Sequence, residues 1–189
     1  MHAPATTWQT VGPYFRIGMD RLMVADIAGE GVQGQRVRVL VRVLDGDGAP
    51  IPDGVLEVWQ ANSQGKYAHP EDTQDKPLEQ GFRGYGRVGT DDDGWLRFDT
   101  VKPGPVPGPA NVEQAPHLVV GLMMRGLLKR LVTRMYFPGE PMNGTDPILE
   151  LVDVERRRTL VARAGIEDAK VLTWEIHMQG KDETVFFEL

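Results

Sequence analysis

The 189-residue chain sets 21 Lys and Arg against 27 Asp and Glu, a net charge of −6, and has no cysteine. Disulfides, thiolate metal centres and a cysteine nucleophile are therefore excluded, and the acidic balance argues against a nucleic-acid-binding domain. No apolar run approaches the ~20 residues of a membrane span, and the start MHAPATTWQTVGPY lacks a basic-then-apolar leader, so the expected setting is the cytoplasm, without membrane.

The length suits one domain over 1–189. Gly 22 and Pro 14 imply many turns and short strands. Residues 1–30 have weak periodicity and many Gly, and read as an arm that needs a docking surface to be ordered. RVRVLVRVL (36–44) alternates strictly, with Val37, Val39, Val41 and Val43 on one face and Arg36, Arg38 and Arg42 on the other. That pattern is a half-buried strand. A turn-rich DGDGAPIPDG precedes the next strand, GVLEVWQ (54–60). Residues 61–83 have no clean period and read as a long excursion.

GYGRVGT (84–90) and WLRFDT (95–100) flank DDDG (91–94), which reads as a hairpin. KPGPVPGPA (102–110) is a rigid Pro-rich loop. HLVVGLMM (117–124) and KRLVTRMYF (129–137) are two further strands. DPILELVD (146–153) is the best helix candidate, with Asp146 as N-cap and Pro147 at the first helical position. RTLVARA (158–164), KVLTWEIHMQ (170–179) and ETVFFEL (183–189) read as closing strands. Seven to nine short strands favour an all-β sandwich, mostly antiparallel, with an extended N-terminal arm and at most one or two short helices.

No nucleophile elbow, phosphate-binding loop, dinucleotide fingerprint or HExxH helix is present. The acidic run Asp91, Asp92, Asp93 lacks the alternating ligands of a calcium loop and reads as a turn tip, as does Asp45–Gly46–Asp47–Gly48. Four histidines remain. His2 lies near the terminus, His69 reads as a solvated loop residue, and His177 falls on the polar side of its strand. His117 opens an apolar strand after the Pro-rich loop, where a hydrogen-bonded structural histidine is the ordinary reading.

Several segments read together point further. LEVWQANSQGKYAHPED (56–72), GFRGYGRVGTDDDGWLRFDTVKPGP (81–105), APHLVVGL (115–122) and LVTRMYFPGEP (131–141) resemble the intradiol ring-cleavage dioxygenases. These enzymes open catechols between the two hydroxyls and use non-haem ferric iron. TVGPYFRIG (10–18) and QGKDETVFFEL (179–189) resemble the alpha chain of its two-chain members. The resemblance runs from about residue 8 to the end, and it implies the same β-sandwich.

In the family's catalytic chains two tyrosines and two histidines hold the iron, a donor set suited to a hard ferric ion. By resemblance, Tyr67 matches the first tyrosine and His117 the first histidine. The second tyrosine position holds Val106 and the second histidine position Val119, and neither valine has a lone pair to donate. Gln114 and Arg134 also depart from the pattern, and a permanently charged guanidinium opposes a bound cation. No metal site and no catalytic residue is therefore expected in this chain. Tyr67 and His117 are expected as remnants of a pseudo-site.

The resemblance implies a partner, an iron-bearing beta chain of similar fold. The alpha chain's arm, here Thr10, Gly12, Pro13 and Tyr14, and one arginine, here Arg125, would line that partner's substrate pocket. A guanidinium suits the carboxylate of a carboxylated catechol. The plainer alternatives are an arm that only packs on the partner and a surface charge at Arg125. A different role for the whole chain would be a binding module for aromatic acids or a protein partner, with no enzymatic part. A stand-alone dioxygenase is opposed by Val106 and Val119.

Overall fold

The structure, a computed structural model, describes residues 6–188. His2 therefore lies outside the described residues. Ten strands form in chain order: β1 (Arg36–Leu44), β2 (Val55–Trp59), β3 (Tyr85–Gly89), β4 (Trp95–Val101), β5 (Val106–Pro107), β6 (Glu113–Gln114), β7 (His117–Met123), β8 (Leu131–Tyr136), β9 (Arg163–Ala164) and β10 (Val171–His177). One sheet runs β4-β1-β10-β9, a second β3-β2-β7-β8, and β5-β6 is a small ribbon. All pairs are antiparallel except β1 with β10.

The two large sheets pack face to face, as the alternation in β1 requires. Val37, Val39, Val41 and Val43 are buried with Leu56, Val58, Leu118, Val120 and Leu122 of the other sheet. Leu172, Trp174 and Ile176 of β10 complete this layer. Burying each such side chain contributes roughly 1.5–3 kcal/mol. The fold is the all-β sandwich expected from the strand count.

Four expectations about individual elements are corrected. Residues 84–100 are not a hairpin within one sheet. β3 pairs with β2, whereas β4 pairs with β1 along Arg36↔Val101 to Arg42↔Trp95. The DDDG turn is a corner between the sheets. Its chemistry is local: Asp91 Oδ1 accepts the amides of Asp93 (3.0 Å) and Trp95 (2.8 Å), and Gly94 sits at φ +75°. Those bonds fix a turn but not a strand's partner, which burial of two apolar faces decides.

The helix expected over 146–153 is only a 3-10 turn at Leu149–Leu151. Eight residues are too few for a helix to stand without packing support, and tertiary bonds hold Asp146 elsewhere, as described below. Within 158–164, Arg157–Leu160 is also a 3-10 turn, and only Arg163–Ala164 is strand. The Trp174 indole N–H takes the Thr159 carbonyl at 2.9 Å, which bends that segment over the core. The 183–188 tail is not a strand. It touches the edge of β8 through the Phe187 amide to the Val132 carbonyl (2.7 Å) and the Thr133 hydroxyl to the Val185 carbonyl (2.7 Å).

The arm contains the one α-helix among the described residues, α1 (Pro13–Met19). Gly12 caps it and Pro13 occupies its first position, a start signal present in the sequence. Residues 24–28 then enter the body: Val24 bridges Arg87, Asp26 bridges Asp99, and Ile27 and Ala28 are fully buried. Gly86 permits this crossing, because a Cβ there would lie 2.7 Å from the Val24 carbonyl oxygen.

Candidate functional site

The outer face of the β3-β2-β7-β8 sheet carries a row of side chains across its strands. Tyr85, Trp59, Val119 and Arg134 are successive cross-strand neighbours, and His117 pairs with Tyr136 in an adjacent row. The period of two places Val119 and His117 on one face of β7. Tyr67 approaches from the excursion after β2, its ring centroid 6.1 Å from that of Trp59. The four ligand-matched positions Tyr67, Val106, His117 and Val119 thus belong to one region at the end of the sheet.

Arg134 organises it. Its Nη1 donates to Gln114 Oε1 at 2.6 Å and lies 3.5 Å from the Tyr136 hydroxyl. Gln114 in turn donates to the Pro107 carbonyl at 2.7 Å. Val119 is the cross-strand partner of Arg134, and Val106 that of Gln114. The two positions without a metal donor therefore each flank one member of the Arg134–Gln114 pair.

The protonation states agree. His117 is 4% exposed, and its Nδ1 lies 2.7 Å from the Ala115 carbonyl, which can only accept, so Nδ1 carries the proton. Burial first, and the Arg134 charge second, push the His117 pKa down to about 4. Burial raises the Tyr67 phenol, with Asp72 adding and Arg134 opposing. Burial likewise raises Tyr136, where Arg134 opposes and Asp146 adds. Both phenols stay protonated at neutral pH, and the imidazole stays neutral. Ferric iron needs anionic oxygen and a vacancy for a cation. These residues do not fit it: two of the four donor positions are valines, and a guanidinium is already there.

Behind the row, Asp146 is fully buried. Its carboxylate accepts from the amides of Ala115 (2.7 Å), Ile148 (3.0 Å) and Leu149 (2.7 Å) and from the Tyr136 hydroxyl (3.0 Å). The sequence flagged Asp146 as a helix cap. It caps a turn and also ties that turn to the segment between β6 and β7 and to β8.

The arm and Arg125 come together at the β7–β8 turn. The Gly126 amide donates to Thr10 Oγ1 at 2.8 Å. Arg125, 55% exposed, donates through Nε to the carboxylate of Asp53, which is 13% exposed. Sequence reasoning missed Asp53. Its place in the Pro-Asp-Gly turn before β2 was the available signal. Tyr14 is 82% exposed on α1, beside exposed Ile17 three positions on. Gly12 and Pro13 are exposed at the start of that helix. Arg16 lies over Gly89, where a side chain would collide with it. Thr10 and Arg125 are thus neighbours, while Tyr67 and His117 belong to the separate Arg134 region.

His69 is exposed in the loop, 5.5 Å from the Trp59 ring, and His177 is half-buried on the polar side of β10. No cluster of three or more His, Asp or Glu able to hold a metal occurs among the described residues. None of the described helices is long and apolar enough to cross a membrane.

The class of protein to which this sandwich belongs is shown by comparison with known proteins. Residues 12–180 match the dioxygenase family model. The chain belongs to that family. It is 39% identical to the protocatechuate 3,4-dioxygenase alpha chain of Burkholderia cepacia, covering 97% of each chain. It is also 39% identical to the beta chain of the same organism's enzyme, over 80% of this chain and 67% of that one. In fold it resembles the dioxygenase domain of a carbohydrate-binding fusion protein from Streptomyces sp. SirexAA-E, with a TM-score of 0.63, 24% identity, and 86% and 89% of the two chains covered.

Proposed function

We propose that this chain is the non-catalytic alpha subunit of a protocatechuate 3,4-dioxygenase, which cleaves 3,4-dihydroxybenzoate with O2 to 3-carboxy-cis,cis-muconate. The observation that carries the reading is the loss of both donors at Val106 and Val119, around an installed Arg134, within a near full-length likeness to an alpha chain. Ferric iron belongs to the partner, a protocatechuate 3,4-dioxygenase beta chain in an alpha–beta assembly, and supplies the activation of catechol and oxygen there.

This chain's part is positioning. Thr10, Gly12, Pro13 and Tyr14 line the partner's substrate pocket, held in place by the Thr10–Gly126 bond. Gly12 and Pro13 bring backbone close to a ligand with little side-chain bulk. Arg125 offers its guanidinium to the substrate carboxylate. Asp53 fixes its direction and moderates its charge. Fixing a substrate and excluding water can contribute several kcal/mol to lowering a barrier. Within a single domain over 1–189, in a cytoplasmic setting, residues 1–30 act as the arm, anchored to the body where 24–28 join it.

Co-expression with a beta chain tests this. The two chains are expected to co-purify with one iron per pair, the colour of ferric tyrosinate, and oxygen uptake with protocatechuate. Iron and turnover in this chain alone would overturn the reading.

A further inference from the structure

Arg134 is half-buried, yet no carboxylate lies within ion-pair distance of it among the described residues. Its hydrogen bonds use Nη1 alone. A half-buried guanidinium that keeps donors free of protein partners can receive an anion, and its planar fork suits a carboxylate.

Next to it is an apolar cavity of about 280 Å3. Val119, Gly121 and Val132 form its floor, and Trp59, Tyr67 and Tyr85 its walls. Val119 lines the cavity and is the cross-strand partner of Arg134, so Arg134 is the neighbour just beyond that wall, while Arg130 is the guanidinium that lines the cavity itself. Trp59 is 40% exposed, a large aromatic face without full cover. At this size, near the low end of ligand cavities at roughly 300 Å3, the cavity has room for a single ring.

The charge balance also favours an anion. Glu57, the one carboxylate lining the cavity, is taken by Arg87 (2.5 Å), Arg130 (3.1 Å) and the Tyr85 hydroxyl (2.7 Å). Those contacts outweigh the cost of burying it and hold its pKa below the usual range. Arg134 adds a further positive charge with no carboxylate in direct contact, the buried Asp146 lying on the far side of the Tyr136 hydroxyl.

We propose that this chain binds a monoaromatic carboxylate in its own metal-free pocket, the ring against Trp59 and Tyr67 and the carboxylate on Arg134. A fixed guanidinium takes the anion-binding role that a metal cannot fill in this chain. The site uses residues of this chain alone, and so holds whether or not the pairing proposed above does.

Equilibrium dialysis of 4-hydroxybenzoate against the full-length chain tests the site. One molecule is expected per chain, with 4-hydroxybenzamide at least tenfold weaker because it lacks the charge. Arg134→Met is expected to weaken the acid at least tenfold. Trp59→Leu, at an exposed position that the core does not need, is expected to do the same and guards against a misfolded Arg134 variant. No saturable binding, equal binding of acid and amide, or binding that survives both substitutions would overturn the proposal.

Discussion

Thr10 Oγ1 accepts a 2.8 Å hydrogen bond from the amide of Gly126, 116 positions along the chain. This bond pins the arm beside Arg125, so the two elements assigned to the partner's pocket are held as one surface.

Thr10→Val keeps the shape of the side chain and removes the acceptor. An exposed hydrogen bond of this kind contributes about 1 kcal/mol or less. Trypsin is therefore expected to cut at Arg16 and Arg21 several-fold faster, while the Tm of the body moves by less than about 4 °C. In the assembly the KM for protocatechuate should rise. Unchanged cleavage would show that the arm is held by other contacts.

Arg125→Ala separates a positioning arginine from a surface charge. The Arg125–Asp53 pair is open to solvent on the arginine side, so its loss should cost only about 0–1 kcal/mol. The assembly should form and keep its iron, yet show a raised KM or lowered kcat. Wild-type kinetics in a correctly assembled variant would leave Arg125 without a role in the substrate pocket.

Asp146→Ala addresses the buried junction behind the row. It strips the acceptor from three amides and the Tyr136 hydroxyl at once. Orphaned buried donors cost about 1–3 kcal/mol each, and the Tm is expected to fall by more than about 6 °C. Asp146→Asn keeps one acceptor oxygen and should recover part of that loss. A calorimetric scan showing no change in either variant would refute the junction's importance.

His117 gives a pH signature. Its folded pKa of about 4 lies below the ordinary 6.5. Between those values the unfolded chain binds a proton that the folded chain refuses, so stability falls as pH drops through that window. Below about 4 both states are protonated and this contribution levels off. The loss is expected to reach about 3 kcal/mol. His117→Gln should flatten denaturant midpoints between pH 6.5 and 4.5, where the native chain slopes. A variant with the native slope would mean that other groups cause it.

The sandwich was legible because burial in β1, β2 and β10 is written as alternation, as in Val37, Val39, Val41 and Val43. Asp91 announced its turn for the same reason, since its carboxylate bonds amides two and four residues on. Once the family resemblance marked the donor positions, the missing donors at Val106 and Val119 could also be read from single residues. Alternation and a turn's own side-chain bonds depend on neighbours close in sequence, and these the sequence alone determined.

Tertiary structure decided the rest. The DDDG turn joins two sheets because β3 and β4 each find their partner far along the chain. Asp146 was visible as a cap, but its ties to Ala115 and Tyr136 span 31 and 10 positions, and they hold a 3-10 turn where the local signal suggested a helix. The pairings of Arg134 with Gln114, Arg125 with Asp53 and Thr10 with Gly126 leave no periodic mark. A hydrogen bond or an ion pair acts over about 3 Å, and only the folded chain brings such distant residues within that reach.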